Sequence, residues 1–203
     1  MPPNPARKEE SRRRVLAAAS RLFRQHGYAG VGIDTIMAAA GLTRGAFYAH
    51  FPSKRALFAE VIGGEHGFNR LMKGRGGGDP DTLTAEALAI VGGYLHPDHR
   101  AEVGLGCTMA ALAADVARGG AEARAAYARR VRELAGEFAR GLPDRDGGPE
   151  PDPRAPDPRA LAAMVLSVGA MVMVRALDDD ALAAAILTAC RDEAERVLTE
   201  EAP

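Results

Sequence analysis

The sequence predicts an all-α protein, with a three-helix head carrying a helix-turn-helix and a longer helical body, about nine helices in all. Three observations lead there. Alanine is abundant and β-branched residues are scarce, which favours helix over strand. Apolar residues recur at spacings of three and four through most of the chain. Glycine and proline fall between those runs, where helices stop and start. With 47% hydrophobic and 26% charged residues, the 203-residue chain is of foldable, water-compatible composition and long enough for one ordinary core or two smaller ones.

Taken in order, Val15, Leu16, Ala19, Leu22 and Phe23 share one face of a helix over residues 8–26, and Gly27 stands where a left-handed terminating residue is needed. Ile33, Ile36, Met37 and Ala40 mark a second helix that stops at Gly41. Thr43 reads as the N-cap of a third, short helix from Arg44 to His50. Phe51-Pro52-Ser53 breaks it, and Ser53 can cap a fourth helix bearing Leu57, Phe58, Val61 and Ile62. Gly63-Gly64 is a joint, and Lys73 to Asp81 reads as a flexible loop. Helices are expected over 82–96, 105–118 and 120–141, then a mobile Pro/Gly/Asp-rich loop from Leu142 to Pro158. Two last helices, 159–176 and 179–199, join tightly around Asp178 to Asp180.

Charge and thiols narrow the function class. The net charge of −1 hides ten lysines and arginines against four acids in residues 1–60, leaving 16 bases against 23 acids beyond. A basic head on an acidic body is the layout of a small nucleic-acid reader. Cys107 and Cys190 are isolated, as in a reducing cytoplasm. No run of about eighteen apolar residues is present, and Met-Pro-Pro-Asn-Pro followed by Arg7 and Lys8 has no apolar signal core, so a cytoplasmic location without membrane contact is expected.

Residues 33–50 have the layout of a helix-turn-helix, in which the second helix enters the major groove and the first crosses the backbone. Gly45 and Ala46 keep the leading face of the second helix short-chained, so its backbone can approach the bases. Arg44 is placed to bond guanine O6 and N7 or a phosphate, and Tyr48, His50 and Lys54 offer donors to phosphate oxygens. Thr43 and Ala49 complete this candidate surface. Phe47 reads as core. Tyr48 is open to both a core and a DNA-facing reading, and so is His50. Arg7, Lys8, Arg12, Arg13 and Arg14 read as a solvated face with phosphate or the minor groove as the alternative.

The same residues carry a family resemblance. The runs Arg14-Val-Leu-Ala-Ala-Ala-x-x-Leu-Phe-x-x-x-Gly-Tyr28 and Ile36-x-x-x-Ala40-Gly-Leu-Thr-Arg-Gly-Ala-Phe-Tyr-Ala-His-Phe51-x-Ser-Lys54-x-x-Leu57 resemble the tetracycline-repressor (TetR) family over residues 12–62. The resemblance implies a homodimeric repressor with a DNA-binding domain over 1–52 and a ligand-binding and dimerisation domain over 53–203. Its partners would be a double-stranded DNA operator and a small-molecule inducer. Position 32 departs from the family pattern: Gly32 replaces the common Ser or Thr, so contacts at the start of the second helix fall to Thr35 or to backbone N–H groups.

In the body, Leu105-Gly-Cys107-Thr-Met109 resembles a branch of that family with a cysteine near the inducer cavity. Cys107 reads either as a small buried hydrophobe or as a reactive thiol at a helix N-terminus. Expected cavity walls are Leu88, Val91, Tyr94, Leu95, Cys107, Met109, Leu112, Tyr127, Phe138, Met164 and Val168, an apolar set that favours an apolar or aromatic ligand. The last two helices are apolar on more than one side, so Leu166, Met173, Leu182, Ile186, Cys190 and Val197 are expected at a two-fold, four-helix interface. No catalytic set, cofactor or metal is expected. A helical enzyme or carrier would have to rest on His96-Pro-Asp98-His99, which reads better as a helix end at Pro97.

Overall fold

The computed structural model describes residues 5–65, 67–104, 106–142 and 155–199, and among them every regular element is helical. The helices are α1 (Pro5–His26), α2 (Ile33–Ala39), a 3-10 helix (Arg44–Ala49), α3 (Lys54–Gly63), α4 (Gly67–Lys73) and α5 (Pro80–Tyr94). They continue with α6 (Pro97–Ala101), α7 (Thr108–Ala117), α8 (Ala121–Ala139), α9 (Pro158–Arg175) and α10 (Asp180–Thr199). The all-α expectation holds, with two short helices, α4 and α6, beyond those read from the pattern. Both are under eight residues, too short for a helical period to show. Pro97, read as a helix end, also opens α6, where the His96 Nδ1 accepts the Asp98 N–H at 3.3 Å. Of the expected loop from Leu142 to Pro158, residues 143–154 lie outside the described residues.

The chain divides into two compact units. The first runs from the N-terminus to Gly64 and adds Val103–Arg129. Its core begins with the α1 stripe, Val15, Ala19 and Phe23, all 0% exposed. Ile36 and Met37 of α2, Phe47, Phe51, and Leu57, Phe58 and Val61 of α3 pack on it, and Leu112, Val116, Ala123 and Ala126 complete the same cluster. Phe23 meets Phe58 edge to face at 5.4 Å, and Tyr28 lies 4.8 Å from Phe58. Hydrogen bonds tie α1 and Tyr28 just after it to α7 and the segment before it. The Arg24 guanidinium donates to the Gly104 carbonyl at 2.9 Å and to Thr108 Oγ1 at 3.2 Å, while Asp115 Oδ1 accepts the Tyr28 N–H at 3.1 Å.

The second unit comprises Glu65–Glu102 and the chain from Arg130 onward. Within it α9 packs most extensively on α10. By length and composition α9 is apolar enough to cross a membrane, yet Ala163, Met164, Ser167, Ala170, Met171 and Val174 form a buried stripe along it. Asp157 caps α9 by accepting the Arg159 N–H, and Asp179 accepts the Leu182 N–H at the start of α10. Arg100 and Arg175 brace α6 against the end of α9. Arg100 donates to the carbonyls of Val174 (2.8 Å) and Leu177 (2.7 Å), and Arg175 returns bonds to those of His99 (2.9 Å) and Arg100 (3.3 Å).

The glycine-rich run from Lys73 to Asp81 is not the free joint its composition predicts. Arg75, 7% exposed, donates to the carbonyls of Met72 (3.1 Å), Leu83 (2.7 Å), Arg140 (3.4 Å) and Glu137. The charge is buried, and its donors reach the carbonyls near the end of α4, at the start of α5 and at the end of α8, so one arginine ties the segment to three helices. Replacing Arg75 by Ala removes these charge-assisted bonds and the buried side chain that carries them. The Arg75→Ala chain is expected to lose about 3 kcal/mol of unfolding free energy, measured by urea denaturation.

Candidate nucleic-acid interface

The turn that sets the interface is built on Gly41. Its φ is +65°, a left-handed conformation that side chains resist, and a Cβ there would stand 2.4 Å from Arg14 Nη2. Gly41 and Leu42 donate back to the carbonyls of Ala38 and Met37, each at 2.9 Å, closing α2 and turning the chain by a fixed angle. Gly27 closes α1 in the same way, with φ of +71°. The short helix expected after the turn is a 3-10 helix. It spans six residues, contains Gly45 and is cut off by Pro52, so it settles into i→i+3 bonds: Ala46 N–H to Thr43 O and His50 N–H to Phe47 O.

The residues of this segment divide sharply. Phe47 is wholly buried, whereas its neighbour Tyr48 is 61% exposed and stands edge-on to the Phe47 ring at 5.3 Å. Thr35, Thr43, Arg44, Gly45 and Ala49 are exposed, and Ala46, His50 and Lys54 are half-buried. Thr43 has the extended N-cap backbone, but its side chain caps no N–H. Ser53 does cap α3, accepting the Ala56 N–H at 3.0 Å. His50 Nδ1 is shielded from water without a hydrogen-bond partner. Lys54 rests its ammonium 4.2 Å above the Tyr28 ring, and partial burial lowers its pKa.

Three charged positions were not singled out by sequence reasoning. Asp34 on α2 pairs with Arg44, Nη1 to Oδ2 at 2.6 Å, with both side chains about two-thirds exposed. Glu60 on α3 holds Arg12, whose guanidinium also lies 5.0 Å over the Phe51 ring. Arg12 is thus a structural member of the basic stretch, while Arg13 pairs with Glu10 within α1. An exposed pair such as Asp34–Arg44 adds only about 0–1 kcal/mol to stability, so the fold does not depend on it.

The expected cavity walls fall into both units. Cys107, Met109, Leu112 and Tyr127 lie in the first; Leu88, Val91, Tyr94, Leu95, Phe138, Met164 and Val168 lie in the second. In the first, the Cys107 thiol is 1% exposed at the N-cap of α7, Leu105 lies outside the described residues, and Tyr127 donates to the Met109 carbonyl at 3.3 Å. A groove of about 610 Å³ in the same unit is lined by small residues of α3 and α8 with Glu60, Glu122 and Arg129, and by none of the expected walls. In the second, Phe68, which the sequence reading passed over, stacks on Tyr94 at 4.0 Å and meets Phe138 edge-on at 5.4 Å. His99 lies 4.8 Å from Tyr94, with Nε2 shielded and unpartnered.

Of the six positions expected at a two-fold interface, none is buried in the single chain. Met173 and Leu182 are 59% and 47% exposed, and Leu166, Ile186, Cys190 and Val197 are half-buried. Val165 (61%) and Val172 (44%) join them on the outer side of α9. Burial raises the Cys190 thiol pKa.

Residues 15–61 match the family model of bacterial regulatory proteins of the tetR family. The structure also resembles that of a TetR transcriptional regulator from Chloroflexus aurantiacus, with a TM-score of 0.67 and 26% identity over 97% of this chain and 98% of that one. Residues 15–61 are thus similar to the N-terminal head of tetR-family regulators, and the whole fold is similar to that of a TetR regulator. The regulator AcrR of Shigella flexneri is 45% identical over 53 residues, 26% of this chain and 25% of AcrR. Such sequence matches span about a quarter of the relatives' length, and the family match ends at residue 61, short of Gly106-Cys107. E. coli NemR in its reduced form shares the fold with a TM-score of 0.70 at 18% identity, over 95% of this chain and 99% of NemR.

The His99 environment carries a pH signature. Burial, then the Arg175 cation, hold its imidazole below the ordinary value of about 6.5, with Glu102 opposing. On acidification the unfolded chain takes up this proton before the folded one. The contribution of neutral His99 is therefore complete above about pH 6.5 and is lost as pH falls through the depressed folded value. Urea midpoints are expected to fall on acidification from about pH 7 to 5, and His99→Gln is expected to flatten that dependence.

Proposed function

We propose that the chain is a cytoplasmic transcriptional repressor. On this reading it binds a palindromic double-stranded operator as a homodimer and leaves it when a small, mostly apolar or aromatic inducer binds. The observation that carries the reading is the contrast within Thr43–His50. Phe47 anchors the segment in the core, while Tyr48 spends a large aromatic surface on solvent. A Cβ at Gly45 would meet nothing within 4 Å, so packing does not require glycine there. A backbone that must come close to a base pair does require it.

The roles follow from placement. Arg44 reads a base edge, Gly45 and Ala46 admit the backbone, and Thr35, Thr43, Tyr48, Ala49, His50 and Lys54 meet sugar and phosphate. The head's core runs on into α7 and the first half of α8, which supports the head and these segments moving as one body. An inducer that favours another spacing of two such bodies lowers operator affinity by shifting the population. The aromatic cluster of Phe68, Tyr94 and Phe138 supports the ligand class. The exposed apolar strip of Val165, Val172, Met173 and Leu182 supports a two-fold dimer.

Selection from random duplexes at fixed salt is expected to return a palindrome with half-sites about 34–36 Å apart, and Arg44→Ala is expected to lose preference at one position of each half-site. The absence of any enriched site contradicts the reading. Met173→Glu is expected to give a monomer in sedimentation, with the fold retained by circular dichroism; a variant that stays dimeric places the interface elsewhere.

A further inference from the structure

The pair between Arg44 and Asp34 stabilises the fold little, yet it sets a carboxylate beside the group that reads a base. We propose that Asp34 is the specificity-determining positioning residue for Arg44, an inference that rests on the DNA-reading role given to the head above. Asp34 sits in the first turn of α2 and Arg44 opens the 3-10 helix, so the left-handed turn at Gly41 is what brings them together. Their 2.6 Å contact engages Nη1 of the guanidinium. The guanidinium is a planar fork of five N–H donors. With Nη1 held, the edge formed by Nε and Nη2 remains, and two donors on one edge are what guanine O6 and N7 accept. Asp34 thereby orients the fork before any duplex arrives.

The same carboxylate acts against unspecific binding. When Arg44 turns to a phosphate instead, the phosphate competes with Asp34 for the fork. The displaced carboxylate is then an unpaired anion facing a polyanion. On a guanine both partners are kept. Asp34 therefore subtracts from the sequence-independent grip of Arg44 and leaves its base reading intact. Its exposure fits this role, since a side chain needed only by the core would not stand about two-thirds open beside the donor.

The test compares dissociation constants for the selected palindrome and a scrambled duplex of equal length at several salt concentrations. Wild type, Asp34→Asn, Arg44→Ala and the double variant are measured, each checked for an unchanged melting temperature. Asp34→Asn is expected to tighten scrambled-duplex binding about threefold and to steepen its salt slope by about one. The ratio of the two constants is expected to fall about tenfold. In the Arg44→Ala background the same change is expected to leave the ratio unaltered. An Asp34→Asn chain that shifts both constants equally, or leaves both alone, overturns the inference while the DNA-reading role stands. So does a loss of ratio that persists without Arg44. A wild-type chain that fails to distinguish the duplexes removes both.

Discussion

The burial of the α1 stripe is the constraint on which the rest of the first unit depends. Val15, Ala19 and Phe23 are fully enclosed, α2, α3 and α7 pack on α1, and the 3-10 helix packs on α2. Apolar burial of this kind is non-directional. The Arg24 bonds to Gly104 and Thr108, and the Asp115 bond to the Tyr28 N–H, supply the direction. They fix which part of α1 lies against α7 and hold the α1 terminus where Gly27 can turn the chain toward α2. Loss of that register would move the turn at Gly41, and with it the exposed segment.

What α1 positions is a short surface whose chemistry is polar and whose support is apolar. A 3-10 helix of six residues has no stability of its own. Phe47 within it and Phe51 just after it are buried in the core, while Arg44, Gly45, Tyr48 and Ala49 stay exposed. Within the basic stretch, by contrast, Arg12 serves the fold. It is held by Glu60 and lies over the Phe51 ring. The net charge of a head is therefore a poor guide to which cations are available to a phosphate.

The helical class, the turn at Gly41, the stop at Gly27 and the Ser53 cap were legible because each is local: a period, a left-handed glycine or a cap acts within four residues. Helices α4 and α6 were not legible, because two turns or fewer show no period. The order imposed by Arg75 was hidden for another reason. Its four carbonyl partners include Glu137 and Arg140, more than sixty residues away. The same holds for Asp34 and Arg44, which a tertiary turn makes neighbours, and for Phe68, whose ring partners lie on α5 and α8. The outward strip on α9 was half legible: the pattern showed excess apolar residues, but only the structure separates Val165 and Val172 from the buried Met164 and Met171.

The central claim is that the surface from Thr35 to Lys54 meets the duplex. Amide-resolved hydrogen exchange of the full chain, with and without a selected palindromic duplex, tests it most directly. The expected result is new protection concentrated in α2, the 3-10 helix and the start of α3, with the exchange of α9 and α10 unchanged by the duplex. Protection that appears on α9 and α10, or along the groove between α3 and α8, while Thr43–His50 exchanges as before, would contradict the account.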